Sequence, residues 1–568
     1  MSRETKSGLL ISDFNVQNLT AYLNNDDNAP RVAALAAPFG QVRQVLLDGG
    51  HPCWQSKPEF VVVWTRPECV LEGFRHLLAF AKVDTQEILR QVDEYAAALL
   101  VAKDRTRTLF VPTWTVPAVH CGHGMLDLMP GIGVSRVLMQ CNLRLLENID
   151  GAMNVIPLQA ATWIEAAGEK SVNPRLWYMA KIPFGNEVFR AAARDIKAAL
   201  RGVEGKSRKL IILDLDDTLW GGIVGELGWE GITLGGHDPE GEALVDFQRG
   251  LQALARSGVI LAVVSKNEEA VALEAMAKHP EMVLRPDDFA AWRINWRDKA
   301  QNVVELIKEL NLGMDSAVFI DDNAVERSRI REALPEVVVP EWPSDKRLYP
   351  RALASLDCFD RRAITEEDRQ RPEMYISERR RSELRCQAGS LDKWLRTLEM
   401  KVEVEPLSKA NLARSTQLLN KTNQMNLSTR RLTERELMSW ASEEGHQLWT
   451  LRVSDKFGNY GLTGLVSVER DGSGARIVDF VLSCRVMGRG FEETMLHLVV
   501  EWARSNGLSK VLASYRSTPK NKPCYDFLAK SGMQAMNDHD FAWNAAREYT
   551  AQSHIRLVRV DRETNLRR

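Results

Sequence analysis

The chain has 568 residues, 45% of them hydrophobic and 26% charged, the make-up of a well-cored globular protein with room for about three to four domains. Its net charge of −2 gives no basis for bulk attraction to nucleic acid or to an anionic membrane surface. The sequence has no apolar run of the ~18–20 residues a spanning helix needs and no secretory leader in MSRETKSGLLISDF, and its eight cysteines lie scattered without C-x-x-C pairs. The expectation is a reduced, cytoplasmic protein with neither membrane nor nucleic acid as partner.

In chain order, residues 1 to about 200 mix short apolar strands (LLIS, EFVVVW, RTLFVP, AMNVIPL) with helical stretches, an α/β pattern. Within them AVHCGHG brings His120, Cys121 and His123 close together, but no fourth metal ligand is evident. The basic, Gly-containing stretch RGVEGKSRK then reads as a linker. After it, LIIL at residues 210–213 predicts a buried parallel strand, followed at once by Asp214, Asp216, Asp217 and Thr218.

Carboxylates crowded at a strand end repel one another unless a cation or protons intervene. Mg²⁺ is the natural occupant, because it takes carboxylate oxygens and leaves room for a phosphate oxygen. An ionised Asp held there can attack a phosphoryl group, while a neighbouring carboxyl exchanges protons with the leaving group. Such an acidic turn is also a common helix cap. Three later segments favour the chemical reading. GVILAVVS ends in Ser265, with Lys266 and Asn267 behind it, groups suited to phosphate oxygens. Lys299, opening a helical stretch in NWRDKAQNV, can neutralise phosphate or the Asp214 carboxylate. AVFIDDN is another apolar strand, ending in Asp321 and Asp322, which suit the metal.

Beyond residue 359 the stretch RRAITEEDRQRPEMYISERRRSELRC alternates charge at helical spacing, the pattern of a solvated connecting helix. A new α/β unit starts near MKVEVEPL. In it, strand ARIVDFVLSC leads into Arg485-x-x-Gly488-x-Gly490 and then the long helical FEETMLHLVVEWARSNG. Glycines before a helix N-terminus let backbone amides approach a pyrophosphate. Cys484 precedes Arg485, which favours its thiolate; the plainer reading is a small buried residue at a strand end. Cys524 reads as helix packing. Asn423, Gln424, Asn426 and Arg430, in NKTNQMNLSTRR, are polar enough to line a site, or equally form a helix end and a polar loop.

The order DxDxT, strand-end Ser, Lys and acidic pair resembles the haloacid dehalogenase (HAD) phosphatase superfamily. That resemblance implies Asp214 as nucleophile, Asp216 as acid/base and Thr218, Ser265, Lys266, Asn267 and Lys299 around phosphate. It implies Mg²⁺ held by Asp214, Asp216, Asp321 and Asp322. The short interval between Asp214 and Ser265 leaves little room for a cap domain, so a bulky or protein-tethered substrate fits. The third unit, with NKPCYDFLAKSGM, resembles the GNAT acyltransferase fold, implying that Arg485, Gly488, Gly490, Asn521 and Tyr525 hold a phosphopantetheine arm. LLISDFNVQNL resembles the opening of SGNH hydrolases, but Phe14 stands where the nucleophilic Ser would follow Asp13, and the late Asp-x-x-His is missing, so that domain reads as a non-catalytic docking or scaffolding unit.

Phosphatase and GNAT-like units in this order, with LDLDDTLWGGIVGE, VVSKNEE, FIDDNAVERSRI, LLNKTNQMNLSTRR, DKFGNYGLTG and SCRVMGRGFEE, resemble the FkbH-like family over about residues 205 to 545. The expected α/β architecture is an SGNH-like domain over 1–200, a HAD-like domain with minimal cap over 206–359, a charged helical connector over 360–400 and a GNAT-like domain over 401–568. The resemblance implies transfer of a glyceryl unit from 1,3-bisphosphoglycerate to the phosphopantetheine thiol of an acyl carrier protein, with loss of phosphate, supplying glyceryl-carrier for polyketide pathways. Cys484 is the implied acyl-holding residue. The alternative is a phosphatase fused to an acetyl-CoA-dependent N-acetyltransferase acting on another substrate.

Overall fold

A computed structural model of the protein describes residues 5–117, 124–422, 424–483 and 485–560. These residues form a mixed α/β chain with three sheets. Among them no helix is long and apolar enough to cross a membrane.

The first sheet contains Lys6–Ser12 (β1), Val32–Ala36 (β2), Phe60–Trp64 (β3), Thr108–Pro112 (β4) and Val155–Leu158 (β5), in the order β2-β1-β3-β4-β5. Every pairing is parallel. Strands β3 and β4 are buried along their whole length, which is why they read as unbroken apolar runs instead of alternating ones. At the carboxyl end of β1, Asp13 accepts hydrogen bonds from the N–H and Nε of Arg66, both at 2.8 Å. Phe14 is fully buried, its ring edge-on to Trp64 and Phe184.

The second sheet has the order β8-β7-β6-β9, built from Leu210–Leu213 (β6), Ile260–Ser265 (β7), Ala291–Ile294 (β8) and Ala317–Ile320 (β9). Strands β6, β7 and β9 are buried throughout. Each is short: β7 ends on Ser265, and β6 and β9 are followed at once by Asp214 and Asp321, so the apolar run stops where the predicted motifs begin.

The third sheet is built on Met400–Pro406 (β10), Met425–Asn426 (β11), His446–Asp455 (β12), Gly458–Asp471 (β13), Gly474–Leu482 (β14), Lys510–Ser514 (β15), Gln534–Ala535 (β16), Asp540–Asn544 (β17) and Ile555–Arg559 (β18). Strands β10, β12, β13 and β14 run as an antiparallel series. The helix Phe491–Ser505 carries the chain from β14 to β15, which pair in parallel only over Gly474–Ile477. Beyond that point β14 takes β11 on the same edge, with Met425 opposite Leu482 and Asn426 opposite Val481. Leu427 continues the bridge, its N–H bonding Phe480 O and its carbonyl accepting the Arg516 N–H. The opening between the parting strands is therefore filled by the chain itself.

One buried ion pair braces this body. Arg381, on the helix Glu366–Gln387, bonds Asp455 through Nε (2.6 Å) and Nη2 (2.9 Å), with side chains only 3% and 0% exposed. Burial opposes ionisation of Asp455, but Arg381, the Phe457 N–H and the Tyr460 hydroxyl outweigh it and hold the carboxyl below its ordinary value. The pair's contribution is full above the ordinary carboxylate pKa of about 4 and fades as pH falls through the lower folded value. Arg381→Met strands the buried carboxylate, so we expect a loss of about 3–5 kcal/mol near neutrality. Urea unfolding of both proteins at neutral and acid pH should show the gap narrowing in acid; a gap of equal size at both would discount the ion pair.

Candidate active site

Asp214 is the first residue after β6 and is 6% exposed. Its Oδ2 lies 3.0 Å from Lys299 Nζ. Its Oδ1 is buried and has no hydrogen-bond partner, a state that costs ~1–3 kcal/mol or more for a charged group. Asp214, Asp321 and Asp322 each offer a carboxylate oxygen, and the three atoms lie within 4.8 Å of one another. Three carboxylates offering hard oxygen donors, one of them on a residue that also carries an unpartnered buried oxygen, fit a hard divalent cation.

Asp216 departs from the expected ligand set. Its Oδ1 accepts the Trp220 Nε1–H (2.8 Å) and the Val224 N–H (3.1 Å), and its Oδ2 accepts the Asn267 Nδ2–H (2.8 Å). With both oxygens engaged, the side chain is held in place, and it is not among the carboxylates that lie together as Asp214, Asp321 and Asp322. Burial, with repulsion from Asp214 and Asp217, raises its carboxyl pKa against these hydrogen bonds, the direction a general acid needs. The turn carrying it is sharp: Asp217 sits at φ +54° and its Oδ1 accepts the Gly222 N–H at 2.9 Å. Thr218 is fully buried beneath, its N–H bonding Leu215 O.

Ser265 ends β7 at 2% exposure. Asn267 is buried and bonds Asp216, and Lys266 is exposed. Lys299 is the first residue of the helix Lys299–Glu309, capped by Asp298, and is 3% exposed. A buried ammonium at a helix N-terminus is unfavourable by itself; the Asp214 carboxylate offsets it.

Sequence reasoning missed three supporting residues. Arg327 donates from Nη1 to the Asp321 and Asp322 carbonyls at 2.8 and 2.6 Å, fixing the acidic turn. Trp220 holds Asp216. Gln248 donates to Leu219 O and accepts from the Val283 and Leu284 N–H groups, tying the loop after β6 to the body. The only signals were Trp and Arg at short, fixed distances from the acidic motifs.

In the C-terminal body the expected pantetheine residues divide. Arg485 is exposed, with Nη1 3.3 Å from Met374 Sδ. Gly488 and Gly490 have φ of +71° and +96° and form a tight turn at the helix start. Asn521, expected beside the cofactor arm, is hydrogen-bonded within the protein. Its Oδ1 accepts from the Tyr515 hydroxyl and the Thr518 N–H, and its Nδ2 donates to the Asn426 and Arg516 carbonyls. It pins β11 into the opening between β14 and β15. Tyr525 is half-buried against Tyr515 and Phe541. Asn426 caps the preceding helix through Leu419 O and Thr422 O, and Arg430 pairs with buried Asp479; both are structural. Gln424 is exposed. Cys524 lies in the core, and burial pushes its thiol up to about 12. Cys484, Asn423, His120, Cys121 and His123 lie outside the described residues.

The chain is similar to the crystallised N-terminal part of BF1531 from Bacteroides fragilis, which contains a phosphatase domain and is complexed with Mg. The two are 26% identical, with a TM-score of 0.57, over 63% of this chain and 95% of that one. Slighter likenesses join shorter segments to two acetyltransferases. One is the ribosomal-protein-S18-alanine N-acetyltransferase of Escherichia coli (8% identity, 27% of this chain, 97% of that one, TM-score 0.21). The other is the spermidine N-acetyltransferase of Vibrio cholerae in complex with CoA and spermine (15%, 26%, 96%, 0.21). These two scores are too low to bear weight. No protein-family model and no curated protein sequence matches the chain.

Proposed function

We propose that this chain is a HAD-type phosphatase fused to a GNAT-like acyltransferase. In this reading it moves a glyceryl unit from 1,3-bisphosphoglycerate to the phosphopantetheine thiol of an acyl carrier protein, releasing phosphate. The observation that carries the reading is Asp214: a buried strand-end carboxylate, paired on one oxygen with Lys299 and unpartnered on the other, in a chain similar to a phosphatase domain complexed with Mg.

Asp214, Asp321 and Asp322 would hold Mg²⁺, which when bound supplies charge neutralisation for an incoming phosphoryl group. The chain's own groups do the rest. An Asp214 oxygen forms a bond to the phosphorus of the C3 phosphate ester as the ester oxygen leaves. Protonated Asp216, held by Trp220 and Asn267, gives that oxygen its proton, then as carboxylate takes one from the water that hydrolyses the aspartyl phosphate. Lys299 pairs with Asp214 and orients it; Ser265 lies at the neighbouring strand end for a phosphate oxygen. At the second centre, the Cys484 thiolate attacks the C1 acyl phosphate, displacing phosphate and forming a thioester, which the carrier's thiol then collects. The N-terminal body is a docking or scaffolding unit in this scheme, since buried Phe14 stands where an SGNH nucleophile would.

The test is to incubate the protein with Mg²⁺, 1,3-bisphosphoglycerate and holo-carrier protein and to weigh the carrier. A gain of one glyceryl group that Asp214→Asn prevents supports the reading. An unchanged carrier mass sinks it. A carrier still loaded by Cys484→Ala removes that thiol from the scheme.

A further inference from the structure

The Gly-rich turn before the helix Phe491–Ser505 is shaped to hold an anion, and it already holds one. Gly488 and Gly490 both lie in the left-handed region, which points successive N–H groups to one side as a nest for negative charge. Into that concavity the chain inserts the carboxylate of Glu492, from the first turn of the same helix. Its Oε1 accepts the Gly488 N–H at 2.7 Å. Its Oε2 is buried without a hydrogen-bond partner, and the residue is 4% exposed. Burial pushes this carboxyl above its ordinary value, while the backbone N–H groups of Gly488, Glu492 and Gly490 pull the other way. The turn is covered at Gly490, where a Cβ would meet His554 Nε2 at 3.0 Å and Gln552 Cγ at 3.1 Å, and open at Gly488, where a Cβ would meet nothing within 4 Å. His554 Nε2 lies 2.9 Å from the Arg489 carbonyl oxygen.

We infer that Glu492 is a specificity residue: its carboxylate occupies the nest of residues 488–490, bars a diphosphate from it, and so turns the C-terminal body away from coenzyme A toward a carrier-borne pantetheine thiol. The diphosphate is the feature that separates the two pantetheine thiols. Coenzyme A must place two linked phosphates near such a nest, whereas a pantetheine arm on a carrier protein ends in a single phosphodiester on the carrier's surface. A second anion cannot share the Gly488 N–H with a buried carboxylate without strong repulsion. This inference rests on the acyltransferase reading proposed above.

The experiment compares the full chain with Glu492→Gln, which keeps shape and removes charge, and Glu492→Ala, which empties the nest. Binding of inorganic pyrophosphate and of coenzyme A is measured by titration calorimetry without divalent cation, and carrier loading is followed by mass under the conditions above. The expected result is an affinity for pyrophosphate and coenzyme A at least tenfold higher in Glu492→Ala, a smaller gain in Glu492→Gln, and carrier loading retained in both. Equal affinities in all three proteins, with the carrier still loaded, would overturn the inference while leaving the proposed function standing. No carrier loading by the unmodified chain would remove the proposed function and this inference with it. Near-UV circular dichroism of each variant identifies a misfolded one, in which case the Gln protein decides.

Discussion

Asp214→Asn is expected to cut phosphate release by about 10⁴-fold or more, the scale on which enzymes lose a nucleophile that acts as part of a unit. The substitution changes almost nothing in shape. It removes the negative charge that faces Lys299 at 3.0 Å and replaces an attacking oxygen with a weakly nucleophilic amide. It also reduces the carboxylates able to hold a cation from Asp214, Asp321 and Asp322 to the last two. The measurement is release of inorganic phosphate from 1,3-bisphosphoglycerate under saturating Mg²⁺, alongside the unfolding midpoint. A folded variant with a tenth or more of the original rate would show that the phosphoryl group is attacked by something other than Asp214. Asp216→Asn makes a useful contrast. It leaves nucleophile and cation ligands in place, so the aspartyl phosphate should still form where the leaving group needs no proton.

The sequence displayed the catalytic frame because the frame is local. Strands β6, β7 and β9 are buried along their whole length, so their apolar runs are unbroken, and each stops at a chemically distinctive residue. Hydrogen bonds that cross the fold were invisible. Both Asp216 oxygens are taken by Trp220, Val224 and Asn267, and no spacing rule predicts that a carboxylate in an acidic motif will be clamped this way. The Asn521 hydrogen bonds were hidden for the same reason: the resemblance to the GNAT fold marked this Asn, but its bonds to Tyr515, Thr518, Asn426 and Arg516 form only in the fold. The β11 segment is only Met425–Asn426, too short for any periodicity. An acidic residue in a helix's first turn is ordinarily explained by the helix dipole; the bond from the Gly488 N–H to the Glu492 carboxylate forms only in the fold.

Lys299→Met should separate charge balance from chemistry. The lysine is 3% exposed and stands at the N-terminus of its helix, where both burial and the helix dipole oppose a positive charge. It is tolerated because Asp214 is beside it. Methionine keeps most of the volume and removes the ammonium, leaving a buried carboxylate at Asp214 without its countercharge. Breaking such a pair costs about 3–5 kcal/mol, so the metal-free variant should unfold at clearly lower urea than the original. A divalent cation can take over the compensation. At a concentration a hundred times its Kd, Mg²⁺ returns about 2.7 kcal/mol, most of the deficit, and the variant should bind it more tightly because no ammonium competes for the Asp214 carboxylate. Phosphate release should nevertheless stay low with Mg²⁺ bound, since the phosphoryl group meets one positive charge fewer. Urea melts of both proteins with EDTA and with saturating Mg²⁺ read out the stability; calorimetric titration reads out the affinity. A variant as stable as the original in EDTA, or one that Mg²⁺ fails to stabilise, would mean that Lys299 and the cation do not serve the same carboxylate.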